Sequence, residues 1–216
     1  MKSNFQQLIV ASLLVSAFVV ACQGSEVINE GESTVSESES PLEPSADEAE
    51  PATQATFAPL PQRDGPRTQT TGSVPHVQID VEAVPAVNEE LFRRAFALPD
   101  VENRETIVSL PGARGMWLDE SISLAHPETI VSGREFAHIH PDGSLHAPLP
   151  FERALEAVEK GWAERHPWAD QREGWDGFVM LFTPQSMDEL DVIFQLILES
   201  YNFVTGRSLT ISDLDL

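Results

Sequence analysis

Three of the six histidines in this 216-residue chain fall within nine positions, in the stretch GREFAHIHPDGSLHAPLP. They are His138, His140 and His146. Imidazole changes its charge near physiological pH, so histidine serves as a general acid or base, and the neutral ring is a common metal ligand. Such a cluster could therefore remove a proton from a bound molecule or hold a divalent ion.

The residues between these histidines predict a hairpin that brings them together. In the PDG loop, proline presets φ, aspartate tolerates a turn and Gly143 accepts a positive φ. A three-residue loop of this kind pairs His140 with Ser144, which places His138 opposite His146. Because side chains alternate faces along a strand, one face carries Ile139, Leu145, Ala137 and Ala147. The opposite face carries His138, His140, His146 and Ser144.

Helices and further strands are predicted around this hairpin. Apolar spacing and terminal signals predict three helices: one capped by Asn88, one after Pro150, and one from a capping box at Ser186 to Gly206. The strand predictions are ETIVSLP, one or two strands around His126, and the apolar run GFVMLFTP as a central strand. The sequence thus predicts an α+β domain, in which an antiparallel sheet includes the histidine hairpin. Helices cover one face of this sheet and leave the other for a site.

The N-terminus predicts an exported chain. MKSNFQQLIVASLLVSAFVVAC has one lysine and an apolar run, residues 8–21, that is shorter than the roughly 20 residues needed to span a bilayer. The residues before Cys22 resemble the bacterial lipobox, in which the signal peptide is cut before a cysteine that carries diacylglycerol. Residues 1–21 are therefore predicted to be a lipoprotein signal peptide and Cys22 the lipidated residue; an ordinary signal peptide or membrane anchor is the alternative. Gln23 favours the outer over the inner membrane of the cell envelope.

Composition divides the mature chain into a linker, residues 22–75, and a domain, residues 76–216. Residues 23–75 carry a net charge of −8 and are rich in Ser, Glu, Pro and Thr, which predicts a disordered acidic linker. The domain carries −15 of the total charge of −22, which argues against nucleic acid as a partner. A small apolar or aromatic molecule or a metal cation is a more suitable partner for this acidic domain. Contact with the membrane is expected through the lipid on Cys22. Cys22 is the only cysteine, which excludes internal disulfides and cysteine catalysis.

Ten residues of the domain match a family pattern of A-H-x-H, L-H, G-W and R-H-P. They are Ala137, His138, His140, Leu145, His146, Gly161, Trp162, Arg165, His166 and Pro167. With this pattern, the chain from about Glu135 to Gly206 resembles the luciferase-domain family, best known from luminous fungi. The resemblance implies O₂ addition to a 3-hydroxy-α-pyrone and loss of CO₂, with no separate redox cofactor. Glu164 departs from the amide of the fungal members and is not our choice of catalytic acid.

Three functions remain open from the sequence. The first is cofactor-independent oxygenation or ring opening of a phenolic or enolic molecule, with His138 or His146 as general base. The other imidazoles and His166 would hold the oxyanion, and the predicted substrate contacts are Trp162, Arg165 and Trp168. The second is a metal site for Zn, Fe or Cu with three ligands: His138, His140 and His146. The third is a non-catalytic binding module for a ligand or partner protein. In all three, His76 and His126 are interpreted as ordinary loop residues and Trp175 as a packing residue.

Overall fold

The computed structural model describes residues 57–216, and these form six strands and three α-helices. The strands are β1 Val101–Glu105, β2 Arg114–Leu118, β3 Glu135–Ile139, β4 Leu145–Pro148, β5 Ala163–Arg165 and β6 Phe178–Leu181. The helices are α1 Pro85–Ala95, α2 Phe151–Glu159 and α3 Met187–Thr205. The predicted signal peptide, Cys22 and the linker up to residue 56 lie outside the described residues. No helix in the described part is both long and apolar enough to cross a bilayer.

The strands form one antiparallel sheet in the order β1-β2-β3-β4-β6-β5. The apolar run containing β6 lies inside this sheet, between β4 and β5, and all four β6 residues are buried. Together with the three helices, the sheet confirms the predicted α+β class.

The hairpin of β3 and β4 has the predicted register. His138 lies opposite His146, and Ile139 lies opposite Leu145. The loop closes with the His140 N–H donating to the Ser144 carbonyl at 2.7 Å, while Gly143 has a φ of +84°. From Ala137 to Ile139 and from Leu145 to Ala147 the side chains alternate, so the aliphatic ones enter the hydrophobic core and the histidines face the other side.

Helix α3 closes the core on the aliphatic side of the hairpin. It begins at Ser186, whose hydroxyl accepts the Glu189 N–H at 3.2 Å, and it ends at Gly206 in the left-handed conformation. The Glu189 carboxylate accepts from the Gln185 N–H instead of completing the predicted capping box. The core includes side chains of α1, α3 and the hairpin, among them Leu91, Ile193, Phe194, Ile197, Ile139 and Leu145.

Two secondary-structure predictions were wrong. Helix α1 begins at Pro85, not after Asn88, because proline at the first helical position needs no N–H partner. The segment ETIVSLP contributes only Glu105 to a strand, since β1 lies earlier, in the polar sequence VENRE. That edge strand has no apolar alternation because most of it is exposed. The uncertain region around His126 holds a 3₁₀ turn, and the single strand there, β2, precedes it.

Residues 57–80, here called the N-terminal strap, lie against the domain. Leu60 is buried, the Trp162 indole N–H donates to the Pro61 carbonyl at 2.7 Å, and Arg63 contacts the Glu189 carboxylate at 2.8 Å. Most of the strap falls in the range that composition assigned to the linker. Its few anchoring side chains have no periodicity, so composition does not reveal that this segment packs.

We predict that Gly143→Ala destabilises the domain more than Gly65→Ala. Both glycines have a positive φ, which costs an alanine about 1–2 kcal/mol. A Cβ at Gly143 would also lie 2.6 Å from Asn88 Oδ1, whereas Gly65 has no atom within 4 Å of that position. Urea unfolding should show an additional loss of about 1–3 kcal/mol for Gly143→Ala. Equal losses in the two variants would contradict the tight hairpin loop.

Candidate functional site

Five buried histidines line one cavity of about 290 Å³ on the sheet face away from the core. Four come from the sequence motifs, and the fifth, His76, comes from the strap. The remaining wall is largely apolar and aromatic. The lining residues are Val74, Pro75, His76, Val108, Ser109, Leu110, Val131, His138, His140, His146, His166, Trp168, Arg172, Trp175 and Phe178.

Three of these imidazoles form a row between two carboxylates. Glu135 Oε1 lies 3.1 Å from His138 Nδ1, and His138 Nε2 lies 3.0 Å from His146 Nδ1. His146 Nε2 lies 3.2 Å from His76 Nδ1, and His76 Nε2 lies 3.6 Å from Glu164 Oε1. Glu135 is fully buried, while the Glu164 side chain is 26% exposed. The imidazole row therefore extends from the buried sheet toward solvent.

The protons in this row can point toward only one of the two carboxylates at a time. A neutral imidazole has one N–H, and a carboxylate only accepts. Donation toward Glu135 has His138 donating from Nδ1, His146 donating to His138 and His76 donating to His146, and donation toward Glu164 reverses all three. The last nitrogen, His76 Nε2, has no hydrogen-bond partner in the structure. Both ring nitrogens of His138 and of His146 are thus used inside the row.

His140 and His166 keep one ring nitrogen free, and the two nitrogens have opposite character. The Ser144 hydroxyl donates to Asp142 at 2.7 Å, so His140 Nδ1 donates to Ser144 Oγ at 2.9 Å. His140 Nε2 is therefore an unprotonated acceptor. His166 Nδ1 accepts the Trp168 backbone N–H at 3.1 Å, so its Nε2 carries the proton. The cavity offers one acceptor and one donor to a ligand.

Burial lowers the pKa of four imidazoles of the site. It lowers the pKa of His140 and of His166 to about 4, with a further lowering from the neighbouring histidines. Burial also lowers the pKa of His146 well below its usual value. The pKa of His76 is lowered by burial, against an opposing effect of Glu164. At neutral pH these four rings are uncharged, so each has one N–H and one acceptor nitrogen.

Two overlapping sets of three histidines could hold a metal ion. Their ligand atoms lie within 4.8 Å of one another, and His146 belongs to both: His138, His140, His146 and His76, His146, His166. In the first set, Glu135 and Ser144 bind the Nδ1 atoms of His138 and His140, so both rings would turn Nε2 to an ion, and His138 Nε2 would do so in place of its hydrogen bond with His146. That set is the one predicted from the sequence.

The structure brings five of the seven predicted catalytic and substrate-binding residues to the cavity. They are His138, His140, His146, His166 and Trp168. Trp162 packs in the core and anchors the strap, and Arg165 pairs with Asp170 at 2.6 Å, so neither lines the cavity. Outside the site, the His126 ring stacks on Phe203 at 4.0 Å.

His76 and Glu135 belong to the site, although no sequence pattern predicted them. His76 lies in an irregular segment 62 positions before His138, and no local pattern marks it. Glu135 is three residues from His138, so regular strand alternation would place the two on opposite faces. The register between β2 and β3 shifts here, since Met116 pairs with Ala137 while Trp117 pairs with Glu135. This bulge turns Glu135 to the histidine side, where it meets His138.

The geometry defines a histidine-lined cavity on an α+β domain, and comparison with known proteins assigns the domain. Residues 133–200 match the Luciferase domain family. The luciferase of Armillaria mellea is 30% identical over 170 residues, covering 68% of this chain and 62% of that protein. The luciferase of Neonothopanus nambi is 27% identical over 173 residues, covering 69% and 62%. No solved structure matches. The chain therefore carries a luciferase-like domain, and it spans less than two thirds of the length of these relatives.

We predict that the metal-free domain loses stability as the pH falls from 7 to 4. In the unfolded chain histidines take up protons near pH 6.5, whereas buried His140 and His166 stay neutral down to about pH 4. The unfolded state then binds more protons, so the free energy of unfolding decreases over this window. His140→Gln should reduce that loss by about 3 kcal/mol at most, measured by urea unfolding at several pH values.

The matched control is His126→Gln, which removes a histidine with a 40% exposed side chain. A wild-type stability that is flat from pH 7 to 4 would contradict neutral burial of the site histidines.

Proposed function

We propose that this luciferase-like domain oxygenates an enolic or phenolic ring bound in the histidine-lined cavity. The observation that carries the proposal is the pair of free nitrogens there: an unprotonated Nε2 on His140 and a protonated Nε2 on His166. The sequence favoured His138 or His146 as the base. Their nitrogens are occupied in the imidazole row, so the proposal assigns the base to His140.

The two nitrogens suit deprotonation of a ring hydroxyl. His140 Nε2 would accept the hydroxyl proton, and the electron pair would remain on the substrate oxygen as an enolate. The His166 Nε2–H would donate to that oxyanion in a buried site, where a fixed donor is most effective. The adjacent ring carbon is then electron-rich, and O₂ would add at that carbon.

The cavity walls match a planar ligand in size and chemistry. Trp175 and Phe178 stack on one another with centroids 4.1 Å apart, and both meet the edge of His166. The volume of about 290 Å³ lies at the lower end of ligand pockets, which start at about 300 Å³. A single substituted ring therefore fits better than an extended polycyclic molecule.

We predict that the wild-type domain consumes oxygen with a 3-hydroxy-α-pyrone and that His140→Gln lowers kcat by about 10²-fold or more. The glutamine retains a polar side chain of similar reach but cannot accept a proton at neutral pH. Oxygen-electrode rates with purified protein measure this, and His126→Gln, outside the cavity, should keep the wild-type rate.

Wild-type rates in His140→Gln would contradict the assigned base.

Oxygen uptake that disappears after chelation and returns with one divalent ion would instead support a second candidate, a metal-dependent reaction. For that candidate the ligands are His138, His140 and His146. The observation in its favour is that Glu135 and Ser144 already orient two of these rings. Metal content of wild type and His138→Gln, measured on the same samples, separates the candidates.

We also propose that the chain is a lipoprotein of a bacterial cell envelope, attached through diacylglycerol on Cys22. The support is Lys2, the one lysine within residues 1–22, with the short apolar run and the cysteine at its end. In a Gram-negative host, Cys22→Ser should move the protein from the membrane fraction to the soluble fraction, because a lipid and not a helix holds it. Ser25→Ala, three residues later, should leave the protein in the membrane fraction. Membrane retention of Cys22→Ser would overturn the assignment.

A further inference from the structure

The charge of the cavity differs from that of the rest of the chain. The sequence has a net charge of −22, yet no aspartate, glutamate or lysine is among the described residues that line the cavity. Four of its five histidines have lowered pKa values and are neutral at pH 7. Arg172 therefore supplies a permanent positive charge to an otherwise largely uncharged wall.

Arg172 is an exposed residue whose guanidinium contacts the aromatic wall of the cavity. Its guanidinium carbon lies 4.1 Å from the centre of the Trp175 ring, and Nη2 donates to the Ile130 carbonyl at 3.0 Å. Within the described part of the chain it forms no ion pair, whereas Arg165 and Arg207 each pair with an aspartate. A guanidinium has five N–H donors, so most of those on Arg172 have no protein acceptor.

The aromatic wall lies between Arg172 and His166. Trp175 lies under the guanidinium and stacks on Phe178. The centre of its ring is 5.6 Å from that of the His166 ring, at an angle of 78° between the ring planes. Arg172 and Phe178 already stack on Trp175, so a planar ring would bind beside this wall, with the His166 donor at one side and the Arg172 guanidinium at another. The arrangement offers separate positions for a hydroxyl and for an anionic substituent.

We propose that Arg172 binds a carboxylate of the substrate, so that the substrate class is an enolic or phenolic ring acid. This inference rests on the proposed function for the ring chemistry and adds the acidic substituent. A planar guanidinium pairs with a carboxylate through two parallel charge-assisted hydrogen bonds. Stacking on Trp175 orients the guanidinium before the substrate binds. The neutral histidines place no second positive charge beside it.

The test compares 3-hydroxybenzoate with 3-hydroxybenzamide, which differ only in the charged group. Titration calorimetry with the wild-type protein should show roughly tenfold or tighter binding of the acid, because only the acid forms a charge-assisted bidentate pair. Arg172→Gln should remove this preference and leave the affinity for the amide unchanged, which also shows that the cavity is intact. The matched control is Arg104→Gln, since Arg104 lies over the Trp117 ring outside the cavity.

If Arg172→Gln keeps the wild-type ratio of the affinity for the acid to the affinity for the amide, the proposal is overturned. It is also overturned if the wild-type protein binds neither compound or binds the amide more tightly. If Arg172→Gln loses both ligands, Arg172→Lys decides: it retains the charge and must still prefer the acid. Oxygen uptake by the wild type with a neutral 3-hydroxy-α-pyrone tests the proposed function separately. Binding of the ring acid requires no turnover, so the two ideas can fail independently.

Discussion

A neutral imidazole carries a single N–H, and this constraint governs the chemistry of the five buried histidines. Each neutral ring that donates from one nitrogen must accept at the other. His138, His146 and His76 therefore donate in one common direction, toward Glu135 or toward Glu164. Ser144 and the Trp168 backbone orient the remaining two rings in opposite senses. The site therefore combines a coupled row of three rings with two rings of opposite, fixed tautomers.

The scaffold provides the coupled row by two departures from regular structure. A bulge in β3 moves Glu135 to the histidine face, and the N-terminal strap carries His76 into the cavity. The strap is anchored at some distance from the site, where Trp162 and Glu189 hold Pro61 and Arg63. Trp162, part of the pattern that reveals the family, thus contributes to the site indirectly, by holding the segment that supplies a histidine.

The same cavity accommodates both chemical interpretations because the requirements of an acid–base site and of a metal site overlap. Both need buried neutral imidazoles whose outer nitrogens are held by carboxylates or hydroxyls. They differ in what occupies the space between His138 and His146, which is a proton in a 3.0 Å hydrogen bond here. The similarity to fungal luciferases covers 62% of those proteins, so chemistry for this chain rests on its own residues.

The sequence by itself determined the α+β class, the histidine hairpin with its register and the ends of α3, because turn chemistry, alternation and end signals act between near neighbours. It placed His138, His140 and His146 on one face for the same reason, while His166 and Trp168 were predicted as site residues with the family resemblance. Only the tertiary structure decided that His76 and Glu135 join them, that Arg172 lies beside Trp175, and that Trp162 and Arg165 lie elsewhere. Those positions depend on a bulge, an aperiodic strap and the packing of distant segments, which no local pattern encodes.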